Sequence, residues 1–474
     1  MAEPFKTPMY QNGVVREAAV DQTLVPQDAV EMAINVHFDR IGAVITRPGI
    51  TQLGASLGSG AVLGMGNYRN NAGTVFAALA KSDTLVKAYT GSSWDTVRSG
   101  LSSTTKARFT NLVDYAFMVD GNSAAGGSAL QTWGGSGSFG TTNDGDLPRG
   151  DFIENYRNRI WVGDKSTDKL YYTDVVTTSG TITGGTSFLQ ISPADGESMT
   201  ALKRHPRALL VFKQNHIYRV FSPNSSDPDP SILRGTYSQE SVVEAKDGIY
   251  YHHPTGFYKF VFDGDQEEIS RPLIDVIKAI PRSAYENISG WTDEDHVMWS
   301  IGDVTLGGIN FTNLICRRTI STKVWTIYSY PTEFRCSTLY DDGSNIVNLL
   351  GGQNGSTYKF DTGTDDAGTA IFYDLVTHWM YITENRNLLK NLSKIAVLSE
   401  NATGAMVSYQ LDTDGQGASD WRQSRTIEKA LYDVVSLDAK NFTRIRLRMS
   451  GSGATTAAIF RGFEGLDLTY SQPE

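Results

Sequence analysis

The residues that could do chemistry are histidines and clustered acids, and neither group has the spacing that chemistry requires. His252 and His253 are adjacent, and successive residues of a strand point to opposite faces of the sheet, so this pair is poorly placed to chelate one metal ion. No metalloprotease helix motif, nucleophile elbow, Walker loop or dinucleotide-binding glycine motif occurs. The sequence therefore predicts no catalytic, cofactor-binding or metal-binding residues, and a protein that is not an enzyme.

Four short acidic clusters lie where hairpins need tight turns, and two alternatives stay open for them. Most contain Asp-Gly, a common hairpin-turn dipeptide. Calcium at one of them is an alternative to a purely structural turn, although none completes an EF-hand loop. Paired carboxylates for glycoside hydrolysis are a second alternative, since they depend on geometry that a sequence does not give. The clusters span residues 144–146, 263–265, 293–295 and 341–343.

The elements that would position such residues are short antiparallel strands. Within 150–174, the runs 152–156, 159–163 and 169–174 are rich in aromatic and β-branched residues and are bounded by Gly, Asp, Asn or Ser. We expect the first run to enter the core, the second to return, and the third to form an outer strand. One such unit cannot bury its own face, so further units must pack beside it.

Seven apolar runs recur along the chain at intervals of 39 to 50 residues. This period, with three or four short strands per repeat, is typical of β-propeller blades. The sequence therefore predicts an all-β protein whose main part is a β-propeller of six or seven blades. A large irregular β-sandwich is the alternative. The runs are centred on Phe76, Phe117, Trp161, Val211, Tyr250, Trp299 and Val347.

The repeat divides the chain into three predicted parts. Residues 1–55 contain an N-terminal hairpin segment that closes the propeller or contacts neighbours, because a joining strand would protect an open sheet edge. Residues 56–370 form the propeller. One helix is expected at 271–280, where apolar residues have helical spacing, a proline lies near the first turn and Ser270 can cap it.

Residues 371–474 are predicted to form a C-terminal β-sandwich-like module. In its strand 442–449, Ile445, Leu447 and Met449 alternate with three arginines, so one face is apolar and the other is basic. The arginines are Arg444, Arg446 and Arg448. They could dock an acidic neighbouring subunit or phosphate, or they could be a solvated face balanced by local acids.

Charge and composition narrow the function classes. The chain of 474 residues has a formal net charge of −10, which argues against a clamp that grips nucleic acid, since phosphate binding needs clustered Lys and Arg. Two cysteines, Cys316 and Cys336, are too few for a disulfide scaffold and are expected to be buried thiols. No secretion leader or apolar run long enough to cross a membrane is visible, so we expect synthesis in a cytoplasm and no membrane partner.

Four groups of residues resemble the tail-nozzle proteins of short-tailed bacteriophages, which are also called tail tubular or packaged-DNA stabilisation proteins. The first group is Asn35 to Gly42 with Arg47-Pro48-Gly49-Ile50-Thr51. The others are 158–163 with 170–172, 248–250 with 256–258 and 269–273, and a C-terminal module entered at Thr377-His378-Trp379. Each motif is short, but together they touch most of the chain.

The resemblance implies a structural virion protein located in the phage tail and assembled in the host cytoplasm. Six copies would form a ring-shaped channel below the portal and adaptor ring proteins, next to tail fibre or needle proteins. The ring would retain the packaged genome and then conduct double-stranded DNA during ejection, without sequence recognition. The family offers no catalytic residues to carry over, and no cofactor.

The acidic net charge of the chain is compatible with a DNA channel, and one alternative function stays open. An acidic inner wall would let DNA slide without adhering, so we expect acidic turns to line the bore and the strand 444–448 to face neighbours. The rival is a carbohydrate-binding or glycan-cleaving propeller used in host attachment. Exposed Trp and Tyr beside converging carboxylates in a pocket would favour that rival.

Overall fold

The computed structural model is an all-β protein built from many small antiparallel sheets. It describes residues 5–6, 13–15, 29–39, 43–73, 76–122, 127–141, 148–176, 182–193, 195–223, 229–230, 234–262, 266–306, 308–341, 344–382, 388–412, 420–453 and 457–471. The N-terminal segment contributes six short strands: β1 (Phe5–Lys6), β2 (Gly13–Val14), β3 (Ala29–Ile34), β4 (Val36–Phe38), β5 (Val44–Thr46) and β6 (Thr51–Gln52).

The first four blades follow as four-stranded antiparallel sheets whose strands are neighbours in chain order. Blade 1 contains β7 (Val62–Arg69), β8 (Phe76–Ser82), β9 (Leu85–Tyr89) and β10 (Trp94–Arg98), and blade 2 contains β11 (Arg108–Leu112), β12 (Tyr115–Val119), β13 (Gln131–Trp133) and β14 (Gly140–Thr141). Blade 3 contains β15 (Phe152–Tyr156), β16 (Arg159–Asp164), β17 (Lys169–Thr173) and β18 (Gly184–Gln190), and blade 4 contains β19 (Ala201–Arg204), β20 (Leu209–Phe212), β21 (Ile217–Val220) and β22 (Asp229–Pro230).

Three further blades complete the ring. Blade 5 contains β23 (Val243–Ala245), β24 (Gly248–His253), β25 (Gly256–Phe260) and β26 (Glu267–Glu268), and blade 6 contains β27 (Ser289–Thr292), β28 (His296–Leu306), β29 (Ile309–Thr319) and β30 (Trp325–Ser329). Blade 7 contains β31 (Phe334–Asp341), β32 (Ile346–Gly352) and β33 (Thr357–Lys359), and its fourth strand is β6 from the N-terminal segment. The predicted propeller of six or seven blades is therefore confirmed, and it has seven.

The ring is closed at blade 7, where a strand from the N-terminal segment completes the sheet formed by the last three strands of the propeller. Strand β6 pairs antiparallel with β33, with Thr51 opposite Lys359 and Gln52 opposite Tyr358. On the inner side, β31 of blade 7 packs against β7 of blade 1. A closed ring covers the faces of the first and last blades, which a linear array would leave exposed, and leaves only short sheet edges.

The residues that gave the repeat all lie on the second strand of their blade. A second strand is flanked by other strands of its sheet and by neighbouring blades on both faces, so its side chains are buried and its sequence reads as an apolar run. Trp161, Val211, Tyr250 and Trp299 are each at most 1% exposed. The spacing signal therefore reports the stacking of blades.

Two details of the expected blades differ from the structure. The strand at 169–173 is the third of blade 3, and β18 lies outside it, because a Gly-rich run that reads as a linker continues into a strand at Gly184. The predicted helix is present as a 3₁₀ turn (Arg271–Leu273) followed by α1 (Ile274–Ala279). Ser270 does not cap it: its Oγ accepts a hydrogen bond from the backbone N–H of Phe257 instead. A second 3₁₀ turn (Gln239–Ser241) precedes β23, and a third (Arg282–Asn287) precedes β27.

The C-terminal module is a two-sheet sandwich that shares strands with the rest of the chain. Its strands are β34 (Ile371–Thr377), β35 (Leu389–Glu400), β36 (Met406–Asp412), β37 (Arg422–Thr426), β38 (Leu431–Phe442), β39 (Arg444–Gly453) and β40 (Ile459–Ser471). One sheet has the order β38-β35-β40-β5-β4, and the other has β3-β34-β39-β36-β37. A common apolar cluster that includes Val397, Val407, Leu447 and Phe460 fills the space between them.

The N-terminal strand β3 joins the module to the propeller. It pairs on one side with β30, the outer strand of blade 6, and on the other with β34. Blade 6 and half of the sandwich therefore form one continuous ten-stranded sheet. Within the described part of the chain, no helix has the length and apolar character needed to cross a membrane.

Candidate functional site

The central channel of the propeller is the first candidate site. It encloses about 550 Å³ and is lined by residues from the inner strands of all seven blades. An inner strand presents its edge to the channel, so successive side chains point alternately toward the two neighbouring blades. The channel wall is therefore a set of contacts between blades, and the chemistry of the site depends on which polar groups those contacts leave unused.

One part of the channel wall is a closed ion cluster. Glu240 accepts hydrogen bonds from Lys106 Nζ at 3.0 Å and from Arg108 Nε at 3.0 Å. The Arg108 guanidinium also lies 4.7 Å from the ring centre of Phe152. Burial opposes ionisation of Glu240, but the two cations outweigh it and lower the pKa of this carboxyl to about 2. This carboxylate is held ionised between two cations and is poorly suited to proton transfer.

A chain of amide side chains links the inner strands of the first four blades. Asn111 Nδ2 of blade 2 donates to Asn67 Oδ1 of blade 1 at 2.8 Å, and Asn155 Nδ2 of blade 3 donates to the backbone carbonyl of Asn111. Arg204 Nη1 of blade 4 donates to Asn155 Oδ1 at 2.9 Å. We call Asn67, Asn111, Asn155 and Arg204 the amide belt. All four residues line the channel.

The amide belt was not predicted, although the sequence carries a signal for it. Asn-Tyr-Arg-Asn occurs at 67–70 and again at 155–158, and the three asparagines are 44 residues apart, one blade each. Asn155 is near the end of an inner strand, just before a turn in which Arg157 and Asn158 have φ of 51° and 55°. Asparagine is among the residues that best tolerate this left-handed conformation. The exact repeat marks Asn67 and Asn155, which are two blades apart, and the blade period then points to Asn111 midway between them; this signal does not mark Arg204.

Part of the amide belt is left without hydrogen-bond partners. Asn111 Oδ1 is buried and accepts no hydrogen bond from any described residue. With the described residues, Arg204 makes the one bond to Asn155 and no ion pair, and its side chain is exposed. Its neighbour Lys203 points to the other side, where its Nζ lies 3.4 Å from Glu244 of blade 5. The belt region therefore offers hydrogen-bonding groups to a ligand, which the Glu240 cluster does not.

The adjacent histidines are core residues of blade 5. His252 is 1% exposed, packs on Phe257 and Tyr285, and neither of its ring nitrogens has a hydrogen-bond partner among the described residues. His253 Nδ1 lies 2.8 Å from Thr255 Oγ1. Burial lowers the pKa of His252 to about 3 and that of His253 to about 4. Both rings are therefore neutral at ordinary pH, and they lie on opposite faces of β24.

One of the four acidic clusters, 293–295, lies wholly within the described residues, and two of its carboxylates bind neighbouring side chains. Asp293 Oδ1 lies 2.8 Å from His296 Nδ1 within a turn of blade 6. Asp295 forms an ion pair with Lys246, with 2.8 Å between Oδ1 and Nζ. The clusters at 144–146 and 263–265, and residues 342–343 of the fourth, lie outside the described residues. Across the described ranges, no three His, Cys, Asp or Glu side chains are grouped as metal ligands would be.

The arginine stripe of β39 is balanced by local acids. Arg444 pairs with Asp412, Arg446 with Glu31, and Arg448 with Asp374 at 2.7 Å. The guanidinium of Arg446 also lies between two indole rings, 4.8 Å from the ring centre of Trp379 and 5.2 Å from that of Trp421. Of the two readings of this stripe, the locally balanced face is the one that the structure supports.

The second candidate site is a buried polar junction where the three parts of the chain meet. Arg47 is the centre of it: all five of its guanidinium N–H groups have acceptors, and its charge lies 3.7 Å from the ring centre of Tyr330. Nε donates to Asn35, Nη1 to Asp366 and the Pro48 carbonyl, and Nη2 to Asp366 and the Ser329 carbonyl, at 2.6 to 2.9 Å. The paired forks of guanidinium and carboxylate make this a strong, oriented contact.

Asn35 completes the junction by touching each part. Its Oδ1 also accepts the backbone N–H of Ser329 in blade 6, and its Nδ2 donates to the backbone carbonyl of Phe372 in the C-terminal module. Its φ of 58° is unusual for a residue other than glycine, and asparagine adopts it most readily. We call Asn35, Arg47 and Asp366 the junction triad.

Both cysteines are buried free thiols, on β29 and β31. Burial raises the pKa of each thiol to about 12, so neither is present as a reactive thiolate at neutral pH. Their positions in two different blades agree with the expectation of packing residues.

Comparison with known proteins gives distant structural neighbours and no family. No family model matches the chain, and no curated protein does. Among solved structures, a virginiamycin B lyase from Staphylococcus aureus is 12% identical, with 65% of this chain and 98% of that chain covered and a TM-score of 0.45. A streptogramin B lyase structure is 14% identical, with 65% and 95% covered and a TM-score of 0.46. This likeness is too distant to carry a functional argument.

Proposed function

We propose that this chain is a structural subunit of the tail nozzle of a short-tailed bacteriophage. The observation that supports the proposal is the junction triad. Two of its members, Asn35 and Arg47, belong to the N-terminal motif through which the sequence resembles tail-nozzle proteins. Their side chains bind the N-terminal segment, blade 6 and the C-terminal module together. The residues of this motif therefore hold three parts of the fold together.

Rigidity is the physical property that such a role needs. A wall subunit must keep its shape while a pressurised genome bears on it, so a hinge between its parts would be a weakness. Here β3 pairs with strands of both blade 6 and the sandwich, and the buried Arg47–Asp366 pair lies beside that seam. The Glu240 cluster likewise uses charged channel residues to hold blades together.

In this proposal six copies form a ring below the portal and adaptor proteins, and tail fibre or needle proteins attach nearby. The ring retains the packaged genome and conducts double-stranded DNA during ejection without reading its sequence. The subunit performs no reaction, needs no cofactor and resides in the virion tail after assembly in the host cytoplasm. The acidic character of the chain, −10 per copy, supports a bore that DNA passes without adhering.

The test is a nonsense mutation in the gene, complemented from a plasmid. Without complementation, we expect particles that package DNA and then lose it, measured as nuclease-sensitive genome after assembly. Complementation with the wild-type chain should restore nuclease resistance and infectivity. Particles that keep their DNA and fail only at adsorption would contradict a nozzle and favour an attachment protein.

A second candidate, a carbohydrate-binding or glycan-cleaving propeller used in host attachment, is supported by the central channel. Its volume of about 550 Å³ falls within the 300–1,000 Å³ that small-molecule sites span. Amide and charged side chains of several blades line it, as hydroxyl-rich ligands require. Binding of the purified chain to a glycan array, together with hydrolysis assays on the bound glycans, tests this candidate; absence of any bound glycan would remove it.

A further inference from the structure

We propose that the amide-belt end of the channel binds the carboxylate of an acidic saccharide. The inference deepens the second candidate function and rests on it, because it names the ligand chemistry of that same channel. It is independent of the tail-nozzle role. Three observations carry it: a cation with unused donors, an orphaned amide oxygen, and the size and charge of the cavity.

The cation is Arg204. Its Nη1 donates to Asn155 Oδ1 at 2.9 Å, and its other N–H groups make no hydrogen bond with the described residues, at a position that lines the channel. A guanidinium binds a carboxylate through two parallel N–H···O bonds, a geometry that an ammonium group cannot match. Of the other cations near the channel, Lys106 and Arg108 are bound to Glu240, and Lys203 lies 3.4 Å from Glu244.

The orphaned acceptor is Asn111 Oδ1, which is buried at the channel wall without a partner among the described residues. A buried amide oxygen without a hydrogen bond costs roughly 1–3 kcal/mol. After a small shift of the amide side chain, a sugar hydroxyl can donate to this oxygen, whereas an ionised carboxylate alone can only accept hydrogen bonds. Asn67 and Asn348 bring further amide groups to the same lining. This combination favours a ligand with hydroxyl groups beside its charge.

The charged residues at the channel can accommodate one added carboxylate, but not a polyanion. The lining contains three cations, Arg108, Lys203 and Arg204, and three acids, Glu154, Glu240 and Glu244. Lys106 and Arg108 both pair with Glu240, and Lys203 lies near Glu244, so Arg204 and Glu154 are the lining charges that make no ion pair with the described residues. One carboxylate can be accommodated at Arg204, while a polyanion would meet Glu154 and Glu244.

The test uses matched ligands that differ only in charge. Galacturonate and its methyl ester, and sialyllactose and its methyl ester, are titrated into the full-length chain by calorimetry. We expect one acidic saccharide to bind at least tenfold more tightly than its neutral partner. Arg204→Gln should abolish that difference, and Glu154→Gln should strengthen binding of the acidic form. Arg422→Gln is the matched control, because Arg422 is also exposed and also makes one described hydrogen bond, but in the C-terminal module.

The possible outcomes distinguish the carboxylate site from glycan binding in general and from the tail-nozzle role. Equal binding of acidic and neutral forms would overturn the carboxylate site while leaving a glycan-binding channel in place. No binding of any saccharide, or binding that Arg204→Gln leaves unchanged, would overturn it as well. Competition by inorganic phosphate at the affinity of the saccharide would show a simple anion site and would also overturn it. None of these results bears on whether the chain is found in a phage tail.

Discussion

The junction triad and the amide belt are both polar clusters at which separate parts of the chain meet, and they differ in how completely their groups are used. At the junction, every N–H of Arg47 has an acceptor, and Asp366 uses both oxygens. At the belt, Asn111 Oδ1 has no described partner, and Arg204 makes one described bond. The first cluster is closed to ligands, whereas the second has capacity left.

This difference separates residues that hold the fold from residues that can act on something else. A buried ion pair with all of its hydrogen bonds made specifies one arrangement of its elements, and removing one partner is costly. A half-satisfied cluster beside a cavity contributes less to stability and retains the ability to bind. The fraction of hydrogen-bonding groups that have partners is therefore a better guide to function here than the residue types, since both clusters contain Asn, Arg and backbone carbonyls and only Asp366 distinguishes the junction.

The largest effect is expected from Arg47→Met. The substitution leaves Asp366 buried without its cation, and breaking such a pair typically costs 3–5 kcal/mol. We expect the free energy of unfolding in urea to fall by about that amount. An Arg204→Met variant is the comparison: it should change stability by about 1 kcal/mol or less, since an exposed side chain with one hydrogen bond contributes little. Equal losses in the two variants would break the distinction between the clusters.

Acid provides the next largest effect, through a buried imidazole that has no hydrogen-bond partner among the described residues. His252 has a pKa of about 3 in the fold and about 6.5 when unfolded, so below pH 6.5 the unfolded chain binds a proton that the fold does not. Stability therefore falls as the pH falls from 6.5 toward 3. Between pH 7 and pH 5 this histidine alone should cost about 2 kcal/mol.

The measurement is the free energy of unfolding at pH 7 and pH 5, for the wild type and for His252→Leu. We expect the variant to lose about 2 kcal/mol less over this interval than the wild type does. His216→Leu is the control, because His216 is partly exposed and lies beside Glu197. An identical pH dependence in wild type and His252→Leu would show that His252 is not held neutral in the core.

A smaller effect is expected from Asn155→Ala in the amide belt. The change removes a donor to the Asn111 carbonyl and to Thr110 Oγ1 and an acceptor of Arg204, each a net contribution of roughly 0.5 kcal/mol at this partly exposed position. We expect a loss of about 1–2 kcal/mol in the free energy of unfolding. Gln423→Ala, at an exposed position of β37, should leave stability unchanged to within about 0.5 kcal/mol. A loss as large as that of Arg47→Met would show that the amide belt stabilises the fold as strongly as the junction triad does.

The smallest effect is expected at a surface ion pair. Arg461 contacts Glu400 with Nε at 3.0 Å, and both side chains are exposed to about the same degree. Such pairs contribute about 0–1 kcal/mol and are screened by salt. Arg461→Ala should therefore be nearly silent in urea unfolding at 0.5 M NaCl. A loss above 2 kcal/mol would show that exposed pairs matter in this fold as much as the buried junction.

The sequence predicts the propeller well because blade stacking imposes an apolar run at a fixed period. All seven apolar centres, from Phe76 to Val347, lie on second strands for this reason. The sequence predicts blade edges poorly, since outer strands are short and polar: Lys169–Thr173 is third in its blade, and the fourth strand begins in a run of glycines and threonines. Ser270 was expected as a helix cap, but the tertiary contact with Phe257 takes its hydroxyl.

The candidate sites were harder to predict, because they are assembled between distant residues. Arg47 and Asp366 are 319 positions apart, and no local pattern links them. Arg444, Arg446 and Arg448 stand out as a basic stripe in the sequence, but their acids come from strands that only the folded sheet brings alongside. The amide belt is the exception, since its asparagines recur at the blade period.

The tail-nozzle proposal is tested most directly by locating the chain in a particle. Antibodies raised against the purified chain are used for immunogold labelling of virions of the phage that carries the gene. The account predicts gold at the tail, beyond the portal vertex, with labelling lost in particles made without the chain and restored by the Arg204→Met variant. Gold on fibres alone, or virions that carry no label, would contradict it.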